Sequence, residues 1–347
     1  MPQQLRFRNQ LTMDISGSTT SSRKIVDKLG RGMILREMCL RLTGSATYAA
    51  GANNVVATLN RGDEWGLLNE IKIVANGADP IRTFSGHHLR SLNRFWFGSY
   101  PRMSTTLGDG ATAAPTFDSS LIIPFWQPNS SYPLDTALDT RKVGDLRVEL
   151  TTAAQSDINS ANGPTSMSAT VQIGTFESFG IDLDATDWNV YPQYATVAAA
   201  NPKFTVDIPV TAAYRGFLIN AAAGASATSA DAASAINNIK IKSGTTTFFD
   251  LPGAMWRDWS RQRRGISREL VQQVAATAPV TGAYLNGTRS SNFNEDAWYW
   301  VDLVQDGYMR EAIDSLGFSE LQLEFDIASA CTLTIFPQQL FPIRGKR

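Results

Sequence analysis

Histidine and cysteine are scarce in this chain of 347 residues, which holds two of each. The histidines, His87 and His88, are neighbours, and neighbours on a helix point about 100° apart, so they cannot chelate one ion together. This spacing excludes a cupin-type metal barrel, and a Ser-His-Asp triad would have to use one of these two residues. We expect both to be solvated or helix-capping histidines.

The cysteines, Cys39 and Cys331, lie in alternating apolar segments near opposite ends of the chain. One disulfide between them is the alternative to two free thiols. Because disulfides are concentrated in small secreted domains, we expect two buried free thiols in a reducing compartment.

Long apolar runs and a large net charge are also absent. No stretch of about 18 uninterrupted apolar residues occurs, and none follows the opening MPQQLRFRNQ, so we expect a soluble chain without a signal peptide or membrane span. The formal net charge of -1 provides no overall positive field for nucleic acid.

The motifs G-x-x-x-x-G-K-[ST], G-x-S-x-G and C-x-x-C do not occur, which removes the best-marked nucleotide, hydrolase and redox sites.

The acidic residues give only weak signals for a metal site or a catalytic site. Asp182, Asp184 and Asp187 in DLDATD alternate like calcium ligands, but the glycine and terminal glutamate of a calcium loop are missing, so we expect a solvated linker. Among 32 acidic residues, no pair is marked for glycoside hydrolysis. No cofactor and no metal is predicted.

Basic residues cluster in two places, the first 41 residues and the segment 257–268, which holds five arginines against one aspartate. One interpretation is a solvated face or ion pairs between subunits. The other is a surface that faces phosphate, in lipid headgroups or in nucleic acid. The candidate contact residues of the N-terminal cluster are Arg6, Arg8, Arg23 and Lys24.

Short runs of alternating apolar and polar residues dominate what is present. In DLRVELT (145–151) and ELQLEFD (320–326), every second residue is apolar, which is the period of a strand with one wet face. Such runs, separated by Gly, Pro, Ser, Thr and Asn, favour a sandwich or barrel over a parallel α/β sheet. Other predicted strands are 34–43, 120–126, 168–176, 203–210, 214–220, 298–304 and 331–337.

Several blocks occur twice in the same order. NEIKI at 69–73 returns as NNIKI at 237–241, and each copy leads through a turn into a predicted amphipathic helix. Collinear blocks indicate a duplicated β domain, which predicts domains at 1–180 and 204–347 and a crossing at 181–203. The other matched blocks are 11–16 with 204–209, Arg36 with Arg215, Gly86 with Gly253, Arg90 with Arg257, Arg94 with Arg261, 137–139 with 312–314, 145–150 with 320–325, and 169–173 with 331–335.

Helices and loops complete the organisation. Ser85 is expected to cap the first helix and Pro252 to lie in the first turn of the second, so that each sandwich carries a small helix on its side. The eight tryptophans are expected to be core and interface anchors. The long loops 101–120, 221–234 and 265–296 are expected to be functional surface features.

This arrangement of two collinear β repeats, a helix beside each and long loops resembles the double jelly-roll major capsid proteins of tailless icosahedral viruses, particularly bacteriophages with an internal membrane. The resemblance covers essentially the whole chain. It implies an all-β fold of two tandem eight-stranded jelly-roll β-sandwiches with short flanking helices, and a structural protein without enzymatic activity.

The resemblance also implies partners. In that family three chains form a homotrimer whose six jelly rolls make a pseudo-hexagonal block, and these capsomers tile the shell in the virion after assembly in the host cytoplasm. Other capsid proteins, such as a penton or minor proteins, are implied as neighbours. The long loops would form the outer crown. The basic N-terminal segment and the tail RGKR (344–347) would face an internal membrane or the packaged genome.

Two other classes stay open. A receptor- or glycan-binding β protein of the spike or lectin type needs exposed Trp or Tyr on its loops, and 101–120 and 221–234 contain neither. A double jelly-roll glycan amidase needs an acidic cluster between the halves and usually carries a signal sequence.

Overall fold

The computed structural model of the protein describes most of the chain. The described residues are 4–48, 64–77, 79–98, 101, 114–127, 136–158, 163–179, 187–223, 232, 234–264, 297–304 and 311–341.

Strands make up most of these residues, as the alternating sequence pattern predicts. The strands are β1 Gln4–Asp14, β2 Gly17–Ser18, β3 Lys24–Lys28, β4 Ile34–Thr47, β5 Leu68–Ala75, β6 Asp79–Phe84, β7 Thr116–Pro124, β8 Leu138–Asp139, β9 Leu146–Thr152, β10 Ser166–Phe179, β11 Asp187–Val190, β12 Gln193–Val197, β13 Asn201–Ile208, β14 Ala213–Ala223, β15 Ile236–Ser243, β16 Thr246–Pro252, β17 Trp298–Asp302, β18 Ile313–Asp314, β19 Leu321–Ile327 and β20 Cys331–Phe341. The helices are α1 Gly86–Phe97, α2 Gln155–Ile158 and α3 Gly253–Arg264, with 3-10 turns at Glu64–Leu67 and Thr140–Lys142.

The first unit is a sandwich of two four-stranded antiparallel layers. One layer has the order β1-β10-β4-β7, and the other has the order β3-β9-β5-β6. Apart from the hairpin β5-β6, neighbours in each layer are distant in sequence because the chain passes repeatedly from one layer to the other, as in a jelly roll. Apolar residues from both layers, such as Leu40 and Val148, share one core.

The second unit repeats this plan. Its layers have the orders β12-β20-β14-β17 and β13-β19-β15-β16. Leu333 from the first layer and Phe325 from the second lie in a core of their own. The predicted fold class, two tandem eight-stranded jelly rolls with short helices, is therefore confirmed in the described residues.

One sheet joins the two units. Strand β11 pairs antiparallel with β20 of the second unit and parallel with β6 of the first, at Val190 and Arg82. The layer β3-β9-β5-β6 and the layer β12-β20-β14-β17 thereby become parts of a single ten-stranded sheet. Main-chain hydrogen bonds thus run from one unit into the other.

The match of Arg36 with Arg215 marks an equivalent backbone feature. Each arginine is skipped in the strand pairing, Arg36 where β4 pairs with β10 and Arg215 where β14 pairs with β20. Such a bulge leaves one extra residue outside the ladder. In both units its carbonyl accepts a hydrogen bond from the chain just after the neighbouring strand, from Phe125 N at 2.8 Å and from Leu303 N at 3.0 Å.

Most other matched blocks also hold equivalent positions in the two sheet orders, but one match is wrong. Residues 11–16 begin in β1, whereas 204–209 begin in β13, which has the place of β3 in the second unit. The counterpart of β1 is β12, which sequence analysis overlooked. The error has a simple cause, because two strands with one wet face share the same alternation whatever their place in the fold.

The stretch 181–203 was predicted as a crossing, and its described part is not a plain linker. It contains β11, the strand that joins the units, β12, the first strand of the second unit, and the start of β13. The domain boundaries themselves stay a prediction.

The helices begin at equivalent places, after β6 and after β16. Ser85 caps α1, as predicted, and its Oγ accepts a hydrogen bond from His88 N at 3.2 Å. Pro252 is not in the first turn of α3. It is the last residue of β16 and pairs with Asn238, and α3 begins one residue later. Among the described residues, no helix is both long enough and apolar enough to span a bilayer.

Candidate functional site

The four predicted contact residues lie on one edge of the first unit. Arg6 and Arg8 are on β1 and Lys24 is on β3, with Arg23 directly before it. β1 and β3 are the outermost strands of the two layers. The structure therefore brings together residues that are separated in sequence, although each has a partner within the chain.

Arg6 and Arg8 are held by a buried carboxylate, Glu177 on β10. Arg6 Nη2 lies 3.0 Å from Glu177 Oε2, and Arg8 Nη2 lies 3.5 Å from Oε1. Gln10 Nε2 and Thr175 Oγ1 also donate to Oε1, at 2.8 and 2.6 Å. The side chain of Glu177 is 3% exposed, so these hydrogen bonds offset the cost of burying its charge.

Arg23 and Lys24 are bound in a similar way. Arg23 Nη2 donates to the carbonyl of Ser16 at 2.6 Å, and Lys24 Nζ lies 2.7 Å from Glu149 Oε2. Burial raises the pKa of the Glu149 carboxyl, but hydrogen bonds and charges of Lys24 and Arg147 outweigh it, so the pKa lies below its ordinary value. The basic edge thus consists largely of ion pairs and hydrogen bonds within the chain. A solvated face, ion pairs between subunits and a contact with phosphate all stay predictions.

Exposed apolar residues on the same edge were missed in the sequence. Leu5 and Phe7 alternate with the arginines on β1, and Phe7 is 64% exposed. Val26 on β3 is also exposed. The alternation in LRFR was the available signal, but it does not tell which face is wet. Large exposed apolar side chains on an edge strand are typical of a surface that another protein covers.

The prediction that the two histidines are solvated is wrong. His87 and His88 are buried, at 8% and 3% exposed, and neither is a solvated residue. The ring of His88 lies edge-on to Trp298 at 5.7 Å and to Phe336 at 5.1 Å. Both aromatic residues belong to the second unit, more than 200 positions along the chain, so the local sequence could not show this burial.

α1 lies on the side of its own unit and is also in contact with the second unit. On its own unit, Asn93 binds the backbone of β7 through Ile122, with Nδ2 2.7 Å from the carbonyl oxygen. On its other side, Phe95 stacks on Trp300 of the second unit, with ring centroids 5.8 Å apart and an interplanar angle of 14°. Every residue from Gly86 to Trp96 is buried. α1 therefore flanks its own unit, as expected, and the second unit covers its other side.

α3 has a different environment. Trp256 is fully buried in the second core, and Ser260 Oγ donates to the carbonyl of Trp300 at 2.5 Å. The opposite face of α3 is exposed, and Met255 is 55% exposed. Of the basic segment 257–268, Arg257 lies over the ring of Tyr299, at 5.5 Å from its centroid.

Tryptophan is an anchor in both cores, as predicted. Trp65, Trp256, Trp298 and Trp300 are among the largest fully buried side chains in the described residues. Trp188 and Trp96 meet edge-on at 5.9 Å where β11 passes α1.

The two cysteines are free, as predicted. Cys39 is partly exposed on β4 and Cys331 is buried on β20. Burial raises the pKa of both thiols.

Several predicted features lie outside the described residues. These are the side chains of the aspartate trio at 182, 184 and 187, most of loops 101–120 and 221–234, all of loop 265–296, and the tail 344–347. Within the described part of the chain, no group of three His, Cys, Asp or Glu side chains is placed to hold a metal ion.

Similar folds occur among solved structures. An atomic structure of Sulfolobus Turreted Icosahedral Virus matches with a TM-score of 0.68 and 11% identity over 98% of this chain and 91% of that chain. The major capsid protein P2 from bacteriophage PM2 matches with a TM-score of 0.58 and 12% identity over 99% and 100%. A PBCV-1 virus capsid matches with a TM-score of 0.60 and 10% identity over 98% and 94%. No protein-family model and no curated protein matches the sequence. At this identity the likeness establishes the fold, a double jelly roll.

Proposed function

We propose that this chain is the major capsid protein of an icosahedral virus, a structural, non-enzymatic component of the virion. The observation that carries the proposal is the order of the strands, two eight-stranded jelly rolls joined through one sheet. The solved structures named above, which match over 98% or 99% of this chain, include a virus capsid and a phage major capsid protein.

The duplication gives the proposal a physical basis. Three chains with two similar units each place six similar units around an axis, so a trimer acquires a pseudo-hexagonal outline. Such blocks tile a shell with neighbours on every side, and the two units are free to diverge because their contacts are not identical. We infer that the chain forms homotrimers and that these capsomers meet one another in the capsid.

The exposed apolar side chains support assembly with other protein surfaces. Leu5, Phe7 and Val26 on the first unit and Met255 on the second are large apolar residues in contact with solvent. Exposed apolar side chains of this kind are common on surfaces that a neighbouring subunit covers.

The orientation in the shell is a further part of the proposal. We place Arg6, Arg8, Arg23 and Lys24 toward the inner face, near an internal membrane or the packaged genome, and the long loops on the outer face. A penton or minor capsid proteins are the other neighbours. Limited proteolysis of intact particles tests this orientation, because cleavage at Arg6 or Arg8 in preference to the 265–296 loop contradicts it.

The solution mass of the purified protein, together with low-resolution particle images, tests the function. We expect a stable trimer with a pseudo-hexagonal outline that assembles further. A monodisperse monomer that neither trimerises nor assembles contradicts the proposal.

A further inference from the structure

α1 contacts the second unit through a row of three side chains on adjacent strands. Leu218 on β14 is the middle one, and it pairs with Trp300 on β17 and with Phe336 on β20. Phe95 stacks on Trp300 at 5.8 Å, and His88 meets Phe336 at 5.1 Å. The row is thus the surface on which α1 lies.

The first unit has the same row in Ile122, Cys39 and Gly174. Cys39 on β4 is the middle one, and it pairs with Ile122 on β7 and with Gly174 on β10. Gly174 has no side chain, but the ring of Phe7 lies across it, since a Cβ added there would stand 2.7 Å from Phe7 Cζ. An aromatic ring therefore occupies the position that Phe336 has in the second unit. In the first unit this ring is exposed.

The two helices are also in register with each other. Asn93 of α1 binds the backbone at Ile122, and Ser260 of α3 binds the backbone at Trp300. Ile122 and Trp300 hold equivalent places in the two rows, so Asn93 and Ser260 are equivalent helix positions. The alignment of Gly86 with Gly253, the first residues of the helices, gives the same register.

This register identifies the face of α3 that corresponds to the contact face of α1. His88 corresponds to Met255, and Phe95 corresponds to Gln262. His88 and Phe95 are buried against the second unit, whereas Met255 and Gln262 are exposed. The described residues therefore contain two copies of a helix face and two copies of a sheet face, and one of each is in contact within this part of the chain.

We propose that the exposed face of α3, centred on Met255, docks on the outer face of β1-β10-β4-β7 of a second copy of this chain, centred on Phe7. The contact repeats between chains the arrangement that α1 and the row at Trp300 form within one chain. It rests on the proposed function, which requires chains to assemble, and it names the surfaces that meet. Because a helix of one copy meets a sheet of the next, the interface is heterologous and propagates around a ring.

Cross-linking of two distinguishable copies tests the proposal. Both copies carry Cys39→Ser, which removes the partly exposed thiol, while Cys331 is buried and stays. A tagged copy carries Met255→Cys, an untagged copy carries Phe7→Cys, and the two are mixed, assembled and treated with a short thiol-to-thiol cross-linker. We expect a covalent tagged-untagged dimer.

A matched control replaces Met255→Cys with Leu316→Cys, a position of similar exposure in the second unit that lies on neither surface. We expect the covalent dimer to decrease at least tenfold with this variant. Particles or trimers that form without a Met255-Phe7 cross-link, or with an equal yield at Leu316, overturn the interface and leave the proposed function standing. A chain that stays monomeric under all assembly conditions overturns both.

Discussion

The helices α1 and α3 occupy the same place in two copies of one fold, yet their environments differ. α1 is buried along almost its whole length, between its own unit and the second unit. α3 packs on its own unit through Trp256 and exposes the opposite face, where Met255 lies. The position of an element within a jelly roll therefore does not fix its burial. For α1 the second unit completes the burial, and within the described residues no second unit lies on the exposed face of α3.

The sequences of the two helices have diverged to fit this difference. The contact positions of α1 are His88 and Phe95, whose rings lie against aromatic residues. The same positions of α3 are Met255 and Gln262. Methionine is unbranched and adapts to irregular surfaces, whereas aromatic rings pack in defined stacked or edge-on geometries.

The largest effect is expected where α1 meets the second unit. Trp298→Ala removes a buried ring that contacts His88 and Phe95, and we expect the free energy of unfolding to fall by about 3–5 kcal/mol. The measurement is urea unfolding at one fixed protein concentration, because assembly adds to apparent stability.

The control is Ser120→Ala, since Ser120 is exposed and pairs with Arg41 in the first unit at the place where Trp298 pairs with Asn220 in the second. We expect a change within about 0.5 kcal/mol for this variant. Equal losses at the two positions would show that the two sheet faces are not used differently.

The next effect concerns assembly rather than folding. Met255→Asp places a charge on the exposed face of α3, and we expect the dissociation constant of the trimer to rise at least tenfold because the charge must be desolvated on docking. Light scattering after size-exclusion chromatography measures the mass against concentration. Leu316→Asp is the control, and we expect it to assemble like the parent chain. If Met255→Asp assembles normally, α3 is not at an interface.

A smaller loss is expected at the buried carboxylate of the first unit. Glu177→Gln introduces the residue type that the second unit has at the matching position of β20, Gln339. It leaves Arg6 and Arg8 without their carboxylate, and we expect a loss of about 1–2 kcal/mol in the free energy of unfolding. Thermal and urea unfolding measure it.

An exposed ion pair provides the comparison. Arg41 Nη2 lies 2.7 Å from Asp118 Oδ2, with both side chains half exposed, and we expect no measurable loss for Asp118→Asn because water screens this pair. A loss of equal size for the two variants would indicate that burial does not determine how much an ion pair contributes to the free energy of unfolding.

The strand pattern was predictable from sequence because alternation is a local property. The segments 145–151 and 320–326 were identified in this way and form β9 and β19. The repeat was predictable where a block carried more than alternation, as Arg36 and Arg215 did at their bulges. It failed at 11–16 and 204–209, where the three shared residues, a Thr, an Asp and an Ile, only continue the alternation that any strand with one wet face can have.

The candidate surfaces were less predictable, because they depend on contacts between distant residues. The burial of His88 depends on Trp298 and Phe336, and Met255 is exposed because no equivalent pair lies against it in the described residues. The basic residues Arg6 and Arg8 were visible as charges, but their carboxylate, Glu177, lies about 170 positions away. Composition shows charge, whereas only the pairing of β1 with β10 shows what neutralises it.

The smallest expected effect is a difference between the two units in how their stability depends on acid pH. Glu324 on β19 and Glu149 on β9 hold equivalent positions, and the pKa of each lies below the ordinary value of 4.5. For Glu324 the main cause is the hydrogen bond from Lys242, whose Nζ lies 2.6 Å from Oε2. A lowered pKa in the folded state contributes stability above pH 4.5, and this contribution is lost as the pH falls through the lowered value.

Lys242→Met is expected to remove about 0.5–1 kcal/mol at pH 7 and to change stability little near pH 2, where Glu324 is protonated with or without the lysine. Urea unfolding at a series of pH values measures this as a shallower acid limb. Lys24→Met is the matched variant in the first unit, and we expect a smaller effect because Lys24 is more exposed than Lys242 and Arg147 also binds Glu149, at 2.9 Å. Acid limbs that shift equally for both variants would contradict this order. Equal shifts would mean that neither the exposure of the lysine nor a second basic partner changes how strongly the lysine stabilises its carboxylate.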